Sequence, residues 1–379
     1  MSVVLPHRAR PASVTAAVAV LAAGVAALAG AASAAARPFI LRPATIRTVA
    51  SAVPRQGPEA GDVNPYGVAV VSRSTGRLVR GNVLVSNFNN AANQQGTGST
   101  IVSVSPAGVQ RVFATVPPPT ASPAVGLTTA LVELRRGFVI VGSLPAPGGM
   151  ASAATAGALT ILGSGGHVVR TITAADINGP WDMTAVDRGS RAVVFVTNVL
   201  NGTVAAGGKV VHRGTVVRIV LAVPRSGAPR VLSNRVIARG FAEHTDPNAL
   251  VIGPTGVGLG RRGTLFVADS ASNRIAAVPH ALTRSSALGG GGRTVGRGGR
   301  LNDPLGLLVA PGGDIVTANG ADGRIVETAA SGGVVAARTL VADGGGDLFG
   351  IALKPNHRGL YFVDDAGTGA AANSLRVLR

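Results

Sequence analysis

The side chains best equipped for chemistry in this sequence are Glu243, His244 and Asp246, which form its only dense cluster of ionisable groups. Carboxylates and an imidazole so close together could transfer protons, or their oxygen and nitrogen atoms could hold a metal ion. Crowded carboxylates also repel one another, and a divalent cation would relieve that repulsion. The cluster therefore predicts a site for a ligand or a cation, if the fold brings further polar groups to it.

Other polar residues recur just before predicted strands or at their ends. We predict six ligand-binding residues: Asp182, Glu243, His244, Asp246, Asn64 and Asn198. Four residues carry oxygen atoms that would suit a calcium-like cation, and no cofactor other than such a cation is expected: Asp182, Glu243, Asn198 and Asp269. The chain has no cysteine, which excludes disulfides, thiolate metal sites and cysteine nucleophiles.

The segment from Leu301 to Leu340 shows which elements would position these residues, because it reads as one unit of a repeat. Its apolar runs are separated by short turns rich in glycine, as in antiparallel hairpins. The predicted strands cover 305–309, 314–318, 324–328 and 334–340. One such sheet cannot bury its own faces, so it must stack on neighbours like itself.

The opening of this unit recurs six times as a three-residue refrain before an apolar strand. The copies are Pro65-Tyr66-Gly67, Ala124-Val125-Gly126, Pro180-Trp181-Asp182, Pro254-Thr255-Gly256, Pro304-Leu305-Gly306 and Leu348-Phe349-Gly350. Six copies predict an all-β, six-bladed propeller of four-stranded antiparallel blades. Asp182 replaces the glycine of the refrain, and we expect its side chain to point toward the central axis.

A second register falls at the end of the second strand of each blade. Its residues are Asn87, Ser143, Asn198, Asp269, Asn319 and Asp365. A side-chain oxygen at a strand end can accept hydrogen bonds from the next turn, so we expect these six to satisfy turns. Asp269→Asn should then be tolerated.

At Asp269 the chain resembles the NHL-repeat propellers, which are related in fold to gluconolactonase-type propellers. The stretch from Gly263 to Ile275 has that family's apolar strand, an Asp, and then Asn273-Arg274-Ile275. The resemblance implies the propeller fold along the whole mature chain, and the motif itself covers about two blades. Such scaffolds carry lyases, lactonases and binding modules alike, so the resemblance implies no single activity.

The resemblance suggests three kinds of site at the face where the inner strands begin. A zinc site like that of the amidating lyase needs several imidazoles, but only His244 and His212 are expected on that face. A calcium cage like that of gluconolactonases would use the four oxygen-bearing residues named above. A His and Glu pair like that of streptogramin lyases would be His244 with Glu243, although adjacent residues on a strand point in opposite directions.

The two ends of the chain have different predicted roles. Residues 1–36 read as an export signal, with an uncleaved membrane anchor as the alternative, and residues 37–379 as a single propeller domain. Its blades are predicted to open near residues 64, 123, 179, 254, 303 and 347. The last blade lacks a fourth strand, so the strand within 38–51 is expected to return and close the ring.

The net charge of +18 comes from 35 basic and 17 acidic residues, and most arginines stand singly in turns. Nucleic-acid binding is therefore not expected, and the Gly/Arg-rich segment 283–302 is read as a mobile linker. Aromatic residues make up only 3% of the chain, which weighs against a lectin.

We expect an exported, monomeric protein with no membrane span after signal cleavage. The predicted function is a platform that binds a small molecule, a glycan or a protein of the cell envelope. The alternative is a metal-dependent hydrolase or lyase of lactonase type that uses the channel-mouth carboxylates, so the sequence leaves open whether the protein is an enzyme.

Overall fold

In the computed structural model, the described part of the chain is Met1 and residues 37–379, apart from 44, 343 and 366–371. Residues 37–379 form one compact unit. The predicted export signal lies outside the described residues. Among the described residues, no helix has the length and hydropathy needed to cross a membrane.

The protein is a six-bladed β-propeller. An N-terminal strand, β1, covers Ile46–Ser51. The first blade then contains β2 (Val63–Val70), β3 (Val83–Asn89), β4 (Thr100–Val104) and β5 (Gln110–Thr115). The second contains β6 (Leu127–Leu134), β7 (Phe138–Ser143), β8 (Leu159–Leu162) and β9 (Val168–Ile172). The third contains β10 (Gly179–Asp187), β11 (Arg191–Val199), β12 (Val211–Ala222), β13 (Arg230–Asp246) and β14 (Leu250–Ile252).

The remaining blades complete the ring. The fourth contains β15 (Pro254–Leu259), β16 (Leu265–Asp269), β17 (Arg274–Val278) and β18 (Arg293–Arg297). The fifth contains β19 (Pro304–Val309), β20 (Ile315–Asn319), β21 (Arg324–Thr328) and β22 (Val334–Thr339). The sixth contains β23 (Leu348–Leu353), β24 (Leu360–Asp364) and β25 (Ser374–Leu378). Single 3₁₀ turns cover Phe39–Leu41, Pro147–Gly149, Ala151–Ala153, Arg261–Gly263 and Ser270–Ser272.

The N-terminal strand closes the ring, as the sequence predicts. Strand β1 pairs antiparallel with β25, from Ile46 opposite Leu378 to Ser51 opposite Ser374. Each inner strand contacts the inner strands of both neighbouring blades, including β23 of the last blade against β2 of the first. Apolar side chains fill the spaces between blades, where the two sheet faces meet.

The third blade differs from its prediction. Four strands are predicted for each blade, but here β13 runs for 17 residues and pairs with the long β12 from Arg230 to Glu243. It then turns back into β14, which makes this sheet five-stranded. The hairpin between β13 and β14 reaches the face where the inner strands begin.

The Gly/Arg-rich segment is not a linker. Its residues 293–297 form β18, the outer strand of the fourth blade. The part before β18 is bonded to the third blade, since Leu288 N–H donates to Ile237 O at 2.9 Å and Gly291 N–H donates to Arg239 O at 2.9 Å. Backbone hydrogen bonds therefore hold it in place, and its glycines provide the positive φ angles of the turn.

Two predicted registers are displaced. In the second blade Leu127 lies opposite Ser143, so the refrain position begins at Leu127 rather than at Ala124, and β6 contains an irregularity before Leu131. In the sixth blade Leu348 lies opposite Asp364, so Asp364 rather than Asp365 occupies the second register. Asp365 is one residue further on and belongs to the channel mouth.

Candidate functional site

The glycines of the refrain allow the inner strands to approach closely around the axis. A Cβ added at Gly256, Gly306 or Gly350 would lie 2.1, 2.3 or 2.0 Å from a carbonyl oxygen of the next refrain. Those oxygens belong to the middle refrain residues Leu305, Phe349 and Tyr66, in the same order. Since such contacts are impossible for a real Cβ, glycine is required there, and the middle residues are drawn together at the axis.

A cavity of about 250 Å³ lies at the end of the channel where the inner strands begin, and we call it the mouth cavity. Its base is formed by the middle residues of five refrains: Tyr66, Trp181, Thr255, Leu305 and Phe349. Its walls carry mainly polar residues: Asn64, Asn89, Asn93, Gln95, Thr129, Asn248, Ser270, Asp303 and Asp365. The cavity therefore combines a largely apolar base with a polar rim, as small-molecule sites do.

Aromatic rings dominate the base. Tyr66 stacks on Phe349 with ring centroids 4.1 Å apart, and Trp181 stands almost perpendicular to Tyr66 at 6.1 Å. Phe88 supports both from behind, stacked on Tyr66 at 4.6 Å and edge-on to Trp181 at 5.8 Å. Trp181 is the only tryptophan in the chain. Both faces of Tyr66 are thereby covered, and the packed rings form a rigid apolar base.

Two rim residues have strained backbones. Asn64 and Asp303, which both precede a refrain proline, have φ angles of 58° and 52°. Gly126 takes a φ of 62° at the corresponding position before Leu127, where it avoids the strain. A left-handed conformation costs a non-glycine residue about 1–2 kcal/mol, and less for Asn and Asp, whose short polar side chains can hydrogen-bond locally. Strain of this kind is common at functional sites, and here it accompanies two side chains that line the mouth cavity.

The charges of the rim carboxyl groups are poorly stabilised. Burial, followed by repulsion from Asp347 and Asp364, raises the pKa of Asp365 to about 7. Burial also raises the pKa of Asp303, and Asp246 adds repulsion there. Both carboxyl groups therefore accept protons more readily than ordinary aspartates, and a nearby positive charge would stabilise their ionised forms.

The Glu243, His244 and Asp246 cluster does not line the mouth cavity. Glu243 is fully buried and accepts hydrogen bonds from Asn201 N–H at 3.1 Å and Asn201 Nδ2 at 3.4 Å, which holds the loop after β11. Burial raises the pKa of Glu243 to about 7. Asp246 Oδ1 caps the turn before β14 by accepting from Asn248 N–H at 2.7 Å.

Asp182 lies in a different part of the channel. It lines a second cavity of about 380 Å³ at the opposite end, which we call the far cavity. Its carboxylate accepts from Met183 N–H at 2.7 Å and from Val257 N–H of the neighbouring blade at 3.3 Å. Burial raises the pKa of Asp182 well above its usual range. This side chain points toward the axis as expected, and its bond to Val257 joins the third and fourth blades.

The structure does not bring the four predicted metal ligands together. Asn198 Oδ1 accepts from Gly179 N–H at 3.0 Å, while Asp269 pairs with Arg274, and Asp182 and Glu243 are engaged as described above. In the described part of the chain, no group of three or more His, Cys, Asp or Glu side chains is arranged to hold a metal ion. This set therefore does not fit a calcium cage.

The second register contributes bonds to neighbouring segments. Asn87 Nδ2 donates to Ala52 O at 3.0 Å, and Asn319 Nδ2 donates to Arg300 O at 2.8 Å. Ser143 Oγ accepts from Ala158 N–H at 3.2 Å. These contacts join each strand end to the connection beside it. Of the residues predicted from sequence, Asn64 and Asp365 line the mouth cavity.

The fold is that of a six-bladed propeller, with a cavity of about 250 Å³ at one channel mouth. Solved structures with this fold include a gluconolactonase from Xanthomonas campestris, with a TM-score of 0.53, 12% identity and 88% coverage of both chains. A calcium-binding regucalcin from Agrobacterium tumefaciens gives a TM-score of 0.52, 13% identity, and 87% and 93% coverage of this chain and that one. A luciferin-regenerating enzyme gives a TM-score of 0.53 and 12% identity, with 88% of this chain and 95% of that one covered.

At these identities the similarity shows the fold alone. No protein-family model matches the sequence, and no curated protein matches it either.

The raised carboxyl pKa values predict an unusual pH dependence of stability. A carboxyl group whose pKa is higher in the folded state binds protons preferentially there, so its contribution favours folding as pH falls. For Asp365 and Glu243, whose pKa in the folded protein is about 7, this stabilisation grows as the pH falls from about 8 to about 5. We expect the melting temperature to be a few degrees higher at pH 5 than at pH 8.

Thermal melts across this range test the expectation. Combining Glu243→Gln with Asp365→Asn should flatten the pH profile, whereas Asp314→Asn, at a half-buried position outside both cavities, should leave it unchanged. A wild-type protein that is less stable at pH 5 than at pH 8 would contradict the argument.

Proposed function

We propose that this protein binds a small organic molecule in the mouth cavity. The observation that carries the proposal is the convergence of five refrain residues on one base, beneath a rim of amide, hydroxyl and carboxyl groups. An apolar base supplies affinity by burial, and a few placed polar groups fix the orientation of a ligand. The comparisons support the scaffold, and the ligand is proposed from the cavity's own chemistry.

The polar rim also explains why a generic apolar ligand is not proposed. The walls present two carboxyl groups and several side-chain amides, and a purely apolar ligand would leave those groups unpaired. A buried polar group without a partner costs roughly 1–3 kcal/mol. The proposed ligand therefore has an apolar body that lies on the rings and polar substituents that meet the rim.

The single tryptophan gives a direct test. Because Trp181 lines the cavity, its emission should change saturably when 2-phenylethylammonium or 2-phenylethanol, two soluble ring compounds of suitable size, binds. Leu305→Phe, which narrows the mouth cavity, should weaken the response. Leu353→Phe, which alters the far cavity, is the matched control. If neither compound changes the emission, or if both variants respond like the wild type, the cavity is not the binding site.

A second candidate is a hydrolase or lyase of lactonase type. It is favoured by Asp365, whose pKa of about 7 would let this side chain exchange a proton near neutral pH. The activity and calcium binding of the similar structures add support. A calcium ion would be held by oxygen atoms of Asp303, Asn64 and Asn89, the donor type that hard cations prefer, and would supply a Lewis acid beside Asp365.

This candidate makes a separate prediction. Acid release from glucono-δ-lactone should accelerate in the presence of the protein and calcium, and Asp365→Asn should abolish the acceleration. If the lactone opens at its uncatalysed rate while ring compounds still change Trp181 emission, the binding function stands and the lactonase does not.

A further inference from the structure

The mouth cavity is acidic in a strongly basic protein. The chain has 35 Arg and Lys residues against 17 acidic ones, yet the described residues that line this cavity include Asp303 and Asp365 and no Arg, Lys or His. Within the described residues, the ion pairs join Arg274 to Asp269 and Arg376 to Asp364. Neither rim carboxylate takes part in them. A negatively charged ligand would therefore meet only repulsion here.

The buried side-chain atoms of the rim that lack a hydrogen-bond partner are all acceptors. Asn89 Nδ2 donates to Asn93 Oδ1 at 2.7 Å, and Gln95 Nε2 donates to Asn248 O at 2.5 Å. These bonds orient both amides and leave their oxygen atoms buried without a partner. The Oδ1 atom of Asn64 is likewise buried without one. Asn64 and Asn89 are more than nine-tenths buried, and both line the cavity.

A ligand that satisfies this rim must bring N–H or O–H donors. A buried acceptor without a partner destabilises the protein, and a donor on the ligand would recover that loss. The carboxylates add the requirement of positive charge, since hydrogen bonds between ionised groups are about twice as strong as neutral ones. Burial raises the pKa of both Asp303 and Asp365, so a positive charge beside them would stabilise their ionised forms. An ammonium group meets both requirements.

The aromatic base distinguishes an organic cation from a metal ion. Trp181 and Phe349 line the base, and the faces of such rings attract organic ammonium groups. A hydrated divalent ion gains little from such rings and needs six to eight oxygen ligands, while no described cluster of three acidic or imidazole side chains is available. The combination of rings, carboxylates and unpartnered acceptors fits an ammonium group attached to an apolar body.

We propose that the ligand of the mouth cavity is an organic amine in its protonated form, whose apolar body lies on Trp181 and Phe349 and whose ammonium group is held by Asp303, Asp365 and the amide oxygens of Asn64 and Asn89. This proposal rests on the proposed binding function and specifies its ligand class.

Three ring compounds that differ mainly in charge test the proposal on the wild-type protein. They are 2-phenylethylammonium, 2-phenylethanol and phenylacetate, each titrated at pH 8 and followed by Trp181 emission. We expect the ammonium compound to bind at least about tenfold more tightly than the alcohol, which corresponds to one charge-assisted contact. Phenylacetate should give no saturable change. Raising the salt concentration should weaken only the ammonium compound.

Variants of the two rim carboxylates test which of them contact the ammonium group. Asp303→Asn and Asp365→Asn should each reduce the affinity for the ammonium compound about tenfold and leave the affinity for the alcohol unchanged. Glu59→Gln removes an equal charge at an exposed position outside the cavity, so it should change neither affinity. Melting curves of each variant check that the fold is intact, and the comparison of the three compounds on the wild type does not depend on them.

The other outcomes separate this proposal from the one before it. Equal affinity for the alcohol and the ammonium compound would overturn the amine while leaving the binding site in place. Tighter binding of phenylacetate would overturn it in the same way. A response to calcium chloride with none to the ammonium compound would assign the carboxylates to a metal ion instead. If the emission of Trp181 changes with none of the three compounds, both proposals are wrong.

Discussion

Deletion of Pro38–Ser51 should destroy the cooperative fold or lower the melting temperature by more than about 10 °C, because this segment closes the ring. The deletion removes β1 and leaves the edge of β25 unpaired. It also removes Phe39 and Ile40, which are 4% and 0% exposed and pack between the fifth and sixth blades. Burial of two such side chains alone contributes about 3–6 kcal/mol.

Hydrogen bonds to a buried carboxylate also hold the part of this segment that precedes β1. The N–H groups of Phe39 and Ile40 donate to the two oxygens of Glu327, each at 3.0 Å, and Glu327 is itself buried. Arg338 Nη1 donates to Ile40 O at 3.2 Å. The deletion would therefore leave a buried carboxylate without those donors, a loss added to the exposed edge.

The experiment compares a protein that begins at Arg37 with the same protein lacking Pro38–Ser51. Arg42→Ala, at an exposed position in the same segment, should melt like the intact protein. A synthetic peptide covering residues 37–51 should restore part of the lost stability in a concentration-dependent way. If the deletion variant melts within a degree or two of the intact protein, β1 does not hold the ring together.

The closure could be predicted because it follows from local pattern and counting. Short glycine turns define each hairpin, and strands predicted at 324–328 and 334–340 are found at 324–328 and 334–339. The last blade has three strands of its own, so the outer edge of its third strand needs a fourth strand from another part of the chain. Where hairpins are short and regular, strand bounds depend on neighbouring residues alone.

The site could be predicted less well, because it depends on residues that are far apart in the sequence. The third position of the refrain is glycine in most copies, so it identifies the repeat. The middle position varies: its residues include Tyr66, Trp181, Thr255, Leu305 and Phe349. Those variable residues form the base of the mouth cavity. A low aromatic content argued against a ring-stacking site, yet the fold gathers three of the few rings at one place. The position of each in the refrain was the available signal.

A cluster of ionisable residues in the sequence predicted the site less well than the position of a residue within the repeat. Glu243 and Asp246 are close in the chain, but the extended pairing of β12 with β13 buries the first and places the second in a turn. Asp303 and Asp365 lie 62 positions apart and line the same cavity because both flank the beginning or end of central strands. In a propeller, equivalent positions in different blades meet at the axis, whereas sequence neighbours need not.

Replacement of Asp269 by Asn should destabilise the protein by about 3–5 kcal/mol, because it leaves a buried cation without its partner. Arg274 Nε lies 2.7 Å from Asp269 Oδ2, and the two residues are 6% and 0% exposed. The other guanidinium nitrogens are also engaged, with Nη1 donating to Thr294 Oγ1 at 2.8 Å and Nη2 to Gly291 O at 2.9 Å. The guanidinium therefore cannot turn toward water when its counter-ion is removed.

This expectation reverses the prediction made from the turn register alone, in which the carboxylate serves as a hydrogen-bond acceptor that Asn could replace. Burial raises the pKa of Asp269 and Arg274 lowers it, and the short Nε to Oδ2 contact is typical of an ionised pair. The pairing also gives a physical reason for the Asp and Asn-Arg-Ile pattern of this repeat: the Arg crosses from β17 to the end of β16. Asp364 and Arg376 form a related pair in the sixth blade.

A double-mutant cycle in urea measures the pair. Asp269→Asn should be severe, whereas Asp269→Asn combined with Arg274→Met should recover most of the stability, because an apolar side chain needs no counter-ion. Arg324→Met gives the matched control, since Arg324 begins the third strand of the next blade as Arg274 does in its own, but is exposed. If Asp269→Asn unfolds at the same urea concentration as the wild type, Asp269 acts as a turn acceptor and its charge contributes nothing to the fold.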